Sequence, residues 1–414
     1  MVTPSSSSED SSAAPLGGSR DRVVIVANAR MPSPRAQSVQ LAQAARGFRD
    51  AGADVTLMHA KRRDTAVLAD SDAVFRELLS AGSREGVAKL LAIPCSDWID
   101  RVPRRLQFVP ARAQEWTFGR SAARRVLGEF DGALVLVRDV EVAYALRARG
   151  GVAWEVHRVP GGRVRRRMAE RAFAAGVLPI AISRGVAEDL ERGFELPAPV
   201  AVEHDAVDGA LLGALMSRAQ ARAELGIAAD APVVLYAGGL MRWKGVDVLV
   251  EAARDPRLRD VQILIAGGMD QDVEDLRQRA AGMPNVRIDG YQPAPKIPAY
   301  LSAADVAVVP NRRSPRISSH YTSPLKVFES LAAGLPLVVS DLPSLRDVLD
   351  ESCASFVEPE NAEALADSVM GLLGDPPLRR ERADAGTRRV QEHTWKARSA
   401  RILGRLRELR QVGS

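Results

Sequence analysis

The chain has 414 residues, 46% hydrophobic and 26% charged, with a formal net charge of +5. That length is too great for one ordinary core, and the composition is that of a globular protein, so two domains are expected. Two cysteines, Cys95 and Cys353, exclude a disulfide-stapled fold and a Cys-rich zinc site and fit a reducing compartment.

The segment from Met1 to about Asp21 is rich in Ser, Ala, Pro and Gly. It lacks the basic start and apolar stretch of a secretory signal, so residues 1–20 are expected to be a disordered tail. No apolar run reaches the roughly 20 residues needed to cross a bilayer. The expected location is the cytoplasm. Three arginine-rich groups lie in the first half: Lys61 to Arg63, Arg101 to Arg125, and Arg163 to Arg171. A face of this kind suits anionic lipid or a phosphorylated acceptor, so peripheral contact with the inner face of a membrane is one reading. A solvated arginine-rich surface is the other. No nucleic-acid partner is expected.

In chain order, Val23 to Ala27 reads as a buried parallel strand, 35–51 as an amphipathic helix, and Val55 to Met58 as a second strand. The region 61–130 reads as mostly helical, broken at Pro94, Pro103 and Pro110. Strands follow at Ala133 to Val137, Val152 to Val156 and Pro179 to Ile182, the last two separated by a basic helix. After a boundary near Pro197 to Asp208, the pattern repeats. Strands are expected at Val233 to Ala237, Gln262 to Ala266, Val286 to Ile288, Val306 to Val309, Leu337 to Val339 and Ser355 to Val357. A long amphipathic helix from about Thr394 to Leu409 ends the chain. Strands alternating with helices imply parallel βαβ units. The fold class is therefore α/β, with two Rossmann-like doubly wound domains facing a cleft. The domains are 21–202 and 203–392, and 393–414 is expected to pack back on the first. Ligands in such sheets bind at the carboxyl ends of the strands.

Two segments carry the chemistry. In His320 to Pro336, Ser323 is a suitable N-cap, Pro324 a suitable first helical residue, and Gly334 a suitable C′ residue. A short helix with exposed backbone amides at its start is an anion site, and a diphosphate held there needs no metal. Glu329, further along that helix, is within reach of sugar hydroxyls. An ordinary capped helix gives the same caps. In Leu235 to Asp247, a buried strand runs into Gly238 and Gly239, then Arg242, Lys244 and a helix. Glycines let the backbone approach a ligand, and Lys244 is placed to neutralise a phosphate. A tight structural turn gives the same pattern.

With these segments the chain resembles the retaining glycosyltransferases of GT-B fold, family 4 type, from about Asp21 to Leu409. Tyr236 to Asp247 is similar to the family's Lys-Gly signature, Gly267-Gly268 to its next glycine turn, Asp289-Gly290-Tyr291 to its base-binding turn, and Ser323 to Pro336 to its diphosphate helix. The resemblance implies a hexosyltransferase-like enzyme with a nucleoside diphosphate sugar as co-substrate and no essential metal or other cofactor. It implies catalytic roles for His157, Lys244 and Glu329. Donor contacts are implied from Gly238, Gly239, Arg242, Tyr291, Tyr321, Thr322, Ser323, Leu325 and Lys326. The acceptor is expected on the first domain, near 27–36 and 90–125, with Arg35 and Arg138 on its side. It would be a glycan, a lipid-linked molecule or a small molecule. His157 ends a strand two residues after Glu155, on the same side, so Glu155 either orients the imidazole or makes an unrelated ion pair.

Three positions depart from the family. Tyr321 stands where a sugar-binding glutamate is usual. A phenol there suits a deoxy or acylamino sugar, unless the ring points elsewhere. Gly239 stands where an arginine is usual, with Arg242, Arg312, Arg313 and Arg316 as substitutes for the lost phosphate contact. The N-terminal glycine loop is replaced by Arg30 to Ala36. A nucleotide-sugar epimerase and a non-catalytic nucleotide-sugar-binding protein are the competing readings.

Overall fold

The computed structural model describes residues 20–33, 36–62, 71–79 and 86–412. The expected tail up to residue 19, and Arg35 of the acceptor side, lie outside the described residues.

The first domain is a seven-stranded parallel sheet: β1 Arg22–Ala27, β2 Asp54–Lys61, β3 Lys89–Pro94, β4 Leu134–Val137, β5 Val152–Val156, β6 Leu178–Ala181 and β7 Ala201–Val202. The second is six-stranded and parallel: β8 Val233–Ala237, β9 Gln262–Ala266, β10 Val286–Gly290, β11 Val306–Val309, β12 Leu337–Ser340 and β13 Ala354–Val357. Strand orders are β3-β2-β1-β4-β5-β6-β7 and β10-β9-β8-β11-β12-β13. Both sheets are doubly wound. Central strands such as Val-Val-Leu-Tyr of β8 are continuous apolar runs because helices cover both faces.

Two sequence expectations fail in the first domain. Lys89–Pro94 is a strand, not helix. It is an edge strand whose burial is irregular, so no alternation announced it, and its terminal proline is tolerated at an edge. Pro110 does not break a helix but lies in the first turn of Phe108–Glu129, where the missing N–H has no partner to lose.

The C-terminal helix Trp395–Val412 lies on the first domain. Ile402, Leu403 and Leu406 join Leu41, Phe48 and Leu57 in one core, and Trp395 Nε1 donates to Gln43 Oε1 at 3.0 Å. The approach is close: a Cβ on Gly47 of the first helix would stand 2.4 Å from the Trp395 carbonyl oxygen. Gly47→Ala is therefore expected to destabilise by about 1–3 kcal/mol through overpacking. Gly128→Ala, in a helix with open space around it, should stabilise by roughly 0.5 kcal/mol. Urea unfolding of both variants checks the opposite signs.

Candidate active site

Strand order reverses beside β1 and β4 in the first sheet, and beside β8 and β11 in the second. Each reversal opens a crevice at the carboxyl ends of the strands. The two sets of strand ends face one another. Ser183, after β6, donates its hydroxyl to the His320 carbonyl at 2.8 Å, and a Cβ on Gly185 would lie 2.5 Å from that oxygen. Asp189 accepts from both Arg316 and the Tyr321 hydroxyl.

In the second domain, β8 delivers Gly238 and Gly239 to the crevice. Gly267 at the end of β9 stacks on this turn, because a Cβ there would be 2.2 Å from the Gly238 carbonyl oxygen. Gly245 has φ +67°, and a Cβ on it would meet the Pro310 carbonyl at 1.9 Å. Only glycine permits that approach of the β8 loop to the end of β11. Two ammonium groups converge here. Lys244 Nζ sits 3.9 Å from the centre of the Trp243 ring, and Lys326 Nζ sits 4.0 Å from that of Tyr236. Among the described residues no carboxylate pairs with either one. Burial lowers the Lys244 pKa to about 7, partly offset by Asp205. Burial and the charge of Lys244 hold Lys326 well below its usual range.

The helix Leu325–Ala332 starts one residue later than the caps suggested. Pro324 is its N-cap, and Ser323 makes no cap bond. Instead Ser323 Oγ accepts from the Asp205 backbone N–H at 2.7 Å, which ties the helix start to the hinge. The Thr322 hydroxyl donates to the Ile317 carbonyl. These two side chains shape the loop, while the N–H groups of Leu325 and Lys326 have no intrahelical acceptor. Gly334, φ +68°, ends the helix as anticipated, with the Leu335 N–H on the Ser330 carbonyl at 3.0 Å. A lysine in the first turn opposes the helix dipole, so Lys326 is placed for an anion rather than for helix stability. Glu329 is pushed up to about 7 by burial and by the nearby charge of Asp208.

Several expected donor contacts lie elsewhere. Arg312 pairs with Asp247 and Glu360, Arg313 with Glu358, and Arg316 with Asp189. None of the three is free to replace the arginine absent at Gly239. Arg242 is exposed. Tyr321 does not offer its hydroxyl to a sugar: the group bridges to Asp189 of the first domain, and the ring packs on that domain's core. Tyr291 follows the β10 turn with its side chain 48% exposed, while the neighbouring Asp289 accepts from Tyr300.

On the facing side, His157 Nε2 lies 2.7 Å from Glu155 Oε1. Glu155 is fully buried and also holds Arg138 and Arg398, each at 2.8 Å. Burial alone would raise its pKa, but the two guanidinium groups and the imidazole keep it well below the ordinary carboxylate range. Arg138, expected to meet the acceptor, is buried and braces Glu155 and Gln40. From a strand end it turns back toward the neighbouring strand, because the uncompensated carboxylate there attracts it. A polar pocket of about 320 Å³ opens at the end of β1, lined by Asn28, Arg30, Gln37 and Arg62 among others.

Two groups escaped the sequence reading. The Lys326 ammonium was overlooked beside its own amide, although a cation at a helix start is itself an anomaly. Asn311, two residues after β11, is fully buried, and neither amide atom has a partner among the described residues. An orphaned amide at a switch point is costly unless a ligand or water meets it. No sequence signal marks it, since orphaning is a property of the packed state.

The depressed lysines predict a pH effect. In the protein alone Lys244 is largely deprotonated above about pH 7. An anion bound between the two lysines raises their pKa values again, so binding takes up protons there. Calorimetric titration with a nucleoside diphosphate at about pH 8, in buffers of different ionisation enthalpy, should show net uptake that Lys326→Met reduces. Buffer-independent heats would remove both lysines from the phosphate site.

Comparison with known proteins bears on the fold and the family. Residues 231–375 match the family described as Glycosyl transferases group 1. The alpha-D-kanosaminyltransferase of Streptomyces kanamyceticus is 29% identical over 198 residues, which is 46% of this chain and 49% of that protein. The chain thus spans about half the length of the first curated relatives it matches. Sucrose-phosphate synthase from Thermosynechococcus elongatus superposes with a TM-score of 0.72 at 21% identity, covering 95% of this chain and 100% of that one. An Anabaena protein, Alr3699/HepE, solved in complex with UDP, gives 0.69 at 16% identity, covering 94% and 100%. The chain has the two-domain GT-B fold of these structures, and its second domain is similar to the glycosyl transferases group 1.

Proposed function

We propose that the protein transfers a sugar from a nucleoside diphosphate donor to an acceptor bound on the first domain, with retention of anomeric configuration. The observation that carries this reading is the pair of unpaired ammonium groups, Lys244 and Lys326, beside the start of Leu325–Ala332. Two desolvated cations and a helix N-terminus form a site for a leaving diphosphate that requires no metal. The kanosaminyltransferase named above and the UDP complex of Alr3699/HepE support a nucleotide sugar as donor. Asn311 and Glu329 are the polar groups available to the nucleotide and sugar. His157, with Nε2 held by Glu155, keeps its other ring nitrogen free of that contact and its side chain one-third exposed. Glu155 is a positioning residue: it fixes the ring and keeps a negative charge behind it.

During transfer the bond between the anomeric carbon and the diphosphate oxygen breaks, and negative charge grows on that oxygen. Lys244 and Lys326 stabilise the charge. The acceptor oxygen attacks from the same face, and its proton passes to the departing phosphate. Interactions that strengthen as this charge develops raise the rate rather than ground-state affinity.

Lys244→Ala should lower kcat by about 100–1000-fold while leaving the melting temperature unchanged or raised, since it removes a desolvated amine that no carboxylate pairs among the described residues. The assay is release of nucleoside diphosphate from a panel of UDP-, GDP-, TDP- and ADP-sugars with candidate acceptors. Interconversion of sugars without release would support an epimerase instead. Donor binding without turnover would support a non-catalytic binder.

A further inference from the structure

The rim of the acceptor pocket is apolar where it meets solvent. Trp98, Leu106, Phe108, Val109 and Trp116 are all exposed, Phe108 by 66% and Trp98 by 57%. Trp98 caps the short turn 99–101, Leu106 ends the turn 104–106, and the other three lie in the first part of the helix Phe108–Glu129. That helix runs back along the sheet, so its start lies at the carboxyl ends of the strands. It is anchored there by a reciprocal amide pair between Asn28 and Gln114, at 2.9 and 2.7 Å. Ile99 and Gln107, from the same turns, line the pocket itself. The exposed apolar lip and the pocket are one continuous surface.

Its charge is one-sided. From Trp98 to Phe130 there are seven arginines against one aspartate, Asp100, and two glutamates. Both glutamates are neutralised locally, Glu115 by Arg112 and Arg165, Glu129 by Arg125. Guanidinium groups of Arg101 and Arg120 lie 5.2 and 5.9 Å from the rings of Trp98 and Trp116. Arg165 ties this helix to a second basic helix, Arg163–Ala174, where Val164 is also exposed. Isolated exposed apolar residues are ordinary. A cluster of aromatic and aliphatic tips, interleaved with arginines and rimming a pocket, matches an anionic lipid interface. Aromatic rings settle at headgroup depth while arginines meet phosphates. No helix among the described residues is long and apolar enough to cross a membrane, so attachment through this rim is peripheral.

We propose that the segment from Trp98 to Trp116 docks on an anionic membrane and brings the pocket at Asn28, Arg30, Gln37 and Arg62 against the headgroup layer, so that the acceptor is a lipid carrying an anionic or polyhydroxylated head. This rests on the transferase reading for the word acceptor, but the docking itself does not depend on it. The rim lies on the first domain, and the two lysines of the donor side lie on the second.

The test is flotation of the full chain with phosphatidylcholine vesicles and with vesicles containing phosphatidylglycerol, at low and high salt. The protein should float with anionic vesicles and partially dissociate as salt rises. Trp98→Glu/Phe108→Glu should reduce partition at least tenfold. Leu127→Glu, an exposed site on the same helix about 28 Å from Phe108, should leave it unchanged. Circular dichroism confirms that each variant folds, and the thermal shift given by UDP or GDP should be equal in all of them, which keeps failure of docking distinct from failure of the donor site. The proposal is overturned if wild type stays in solution with anionic vesicles at low salt. It is equally overturned if the rim variant floats like wild type, or if the rim variant dissolves a dimer of the chain that binds no vesicle.

Discussion

Glu155 is a carboxylate at the end of a central strand with no exposure to solvent. Leaving such a charge unpaired costs several kcal/mol, so its surroundings must supply positive charge from more than one direction. Arg138 supplies it from the adjacent strand end and Arg398 from the C-terminal helix, while His157, two residues along the chain, adds a hydrogen-bonding contact at 2.7 Å. Arg398 also donates to the carbonyl oxygens of His204 and Glu203 at the hinge. One buried acid therefore fixes the imidazole that faces the cleft, the docking of the last helix, and the point where the chain passes between domains. The hinge is stitched again by Val207, whose N–H meets the His393 carbonyl and whose carbonyl meets the Trp395 N–H. The C-terminal helix is thus part of the first domain's core and part of the hinge at once.

The donor side follows the opposite rule. Where the first domain compensates the buried charge at its strand end, the donor crevice leaves its two amines without a carboxylate partner among the described residues, although the same domain pairs the buried Arg222 with Asp305 elsewhere. Lys244, Lys326 and Glu329 are all shifted toward their neutral forms by burial. Groups held near neutrality are stabilised when an oppositely charged or hydrogen-bonding ligand arrives, which is how a preorganised site trades folding stability for binding. Lys326 lies directly over the glycine turn, 3.8 Å from where a Cβ on Gly238 would stand. The Lys326 amine therefore reaches the turn that carries Gly239 from the helix side. Arg312, Arg313 and Arg316, nearer in sequence to the expected role, are held by carboxylates of their own.

The domain contact assigns Tyr321 a mechanical role. Its hydroxyl and Arg316 both engage Asp189, and Gly185 permits the His320 carbonyl to approach the first domain closely. These contacts close the cleft on the side of β6, opposite the polar pocket at β1.

The sequence by itself determined the two doubly wound domains, because buried parallel strands are continuous apolar runs and short caps punctuate the helices between them. It also placed Gly238, Lys244, the helix carrying Glu329, and His157 at strand ends, since strand ends are readable from where an apolar run stops. The edge strand Lys89–Pro94 was not readable, because an edge strand is buried irregularly and shows no period. The partners of Ser323 and Arg138 were unreadable for a different reason. Each has a partner remote in sequence, Asp205 at the hinge and Glu155 on the neighbouring strand, and local pattern carries no record of such partners. The orphaned Asn311 and the unpaired Lys326 belong to the same class. Whether a polar group is satisfied depends on everything packed around it, so only the tertiary structure decides which charges are compensated and which are left for a ligand.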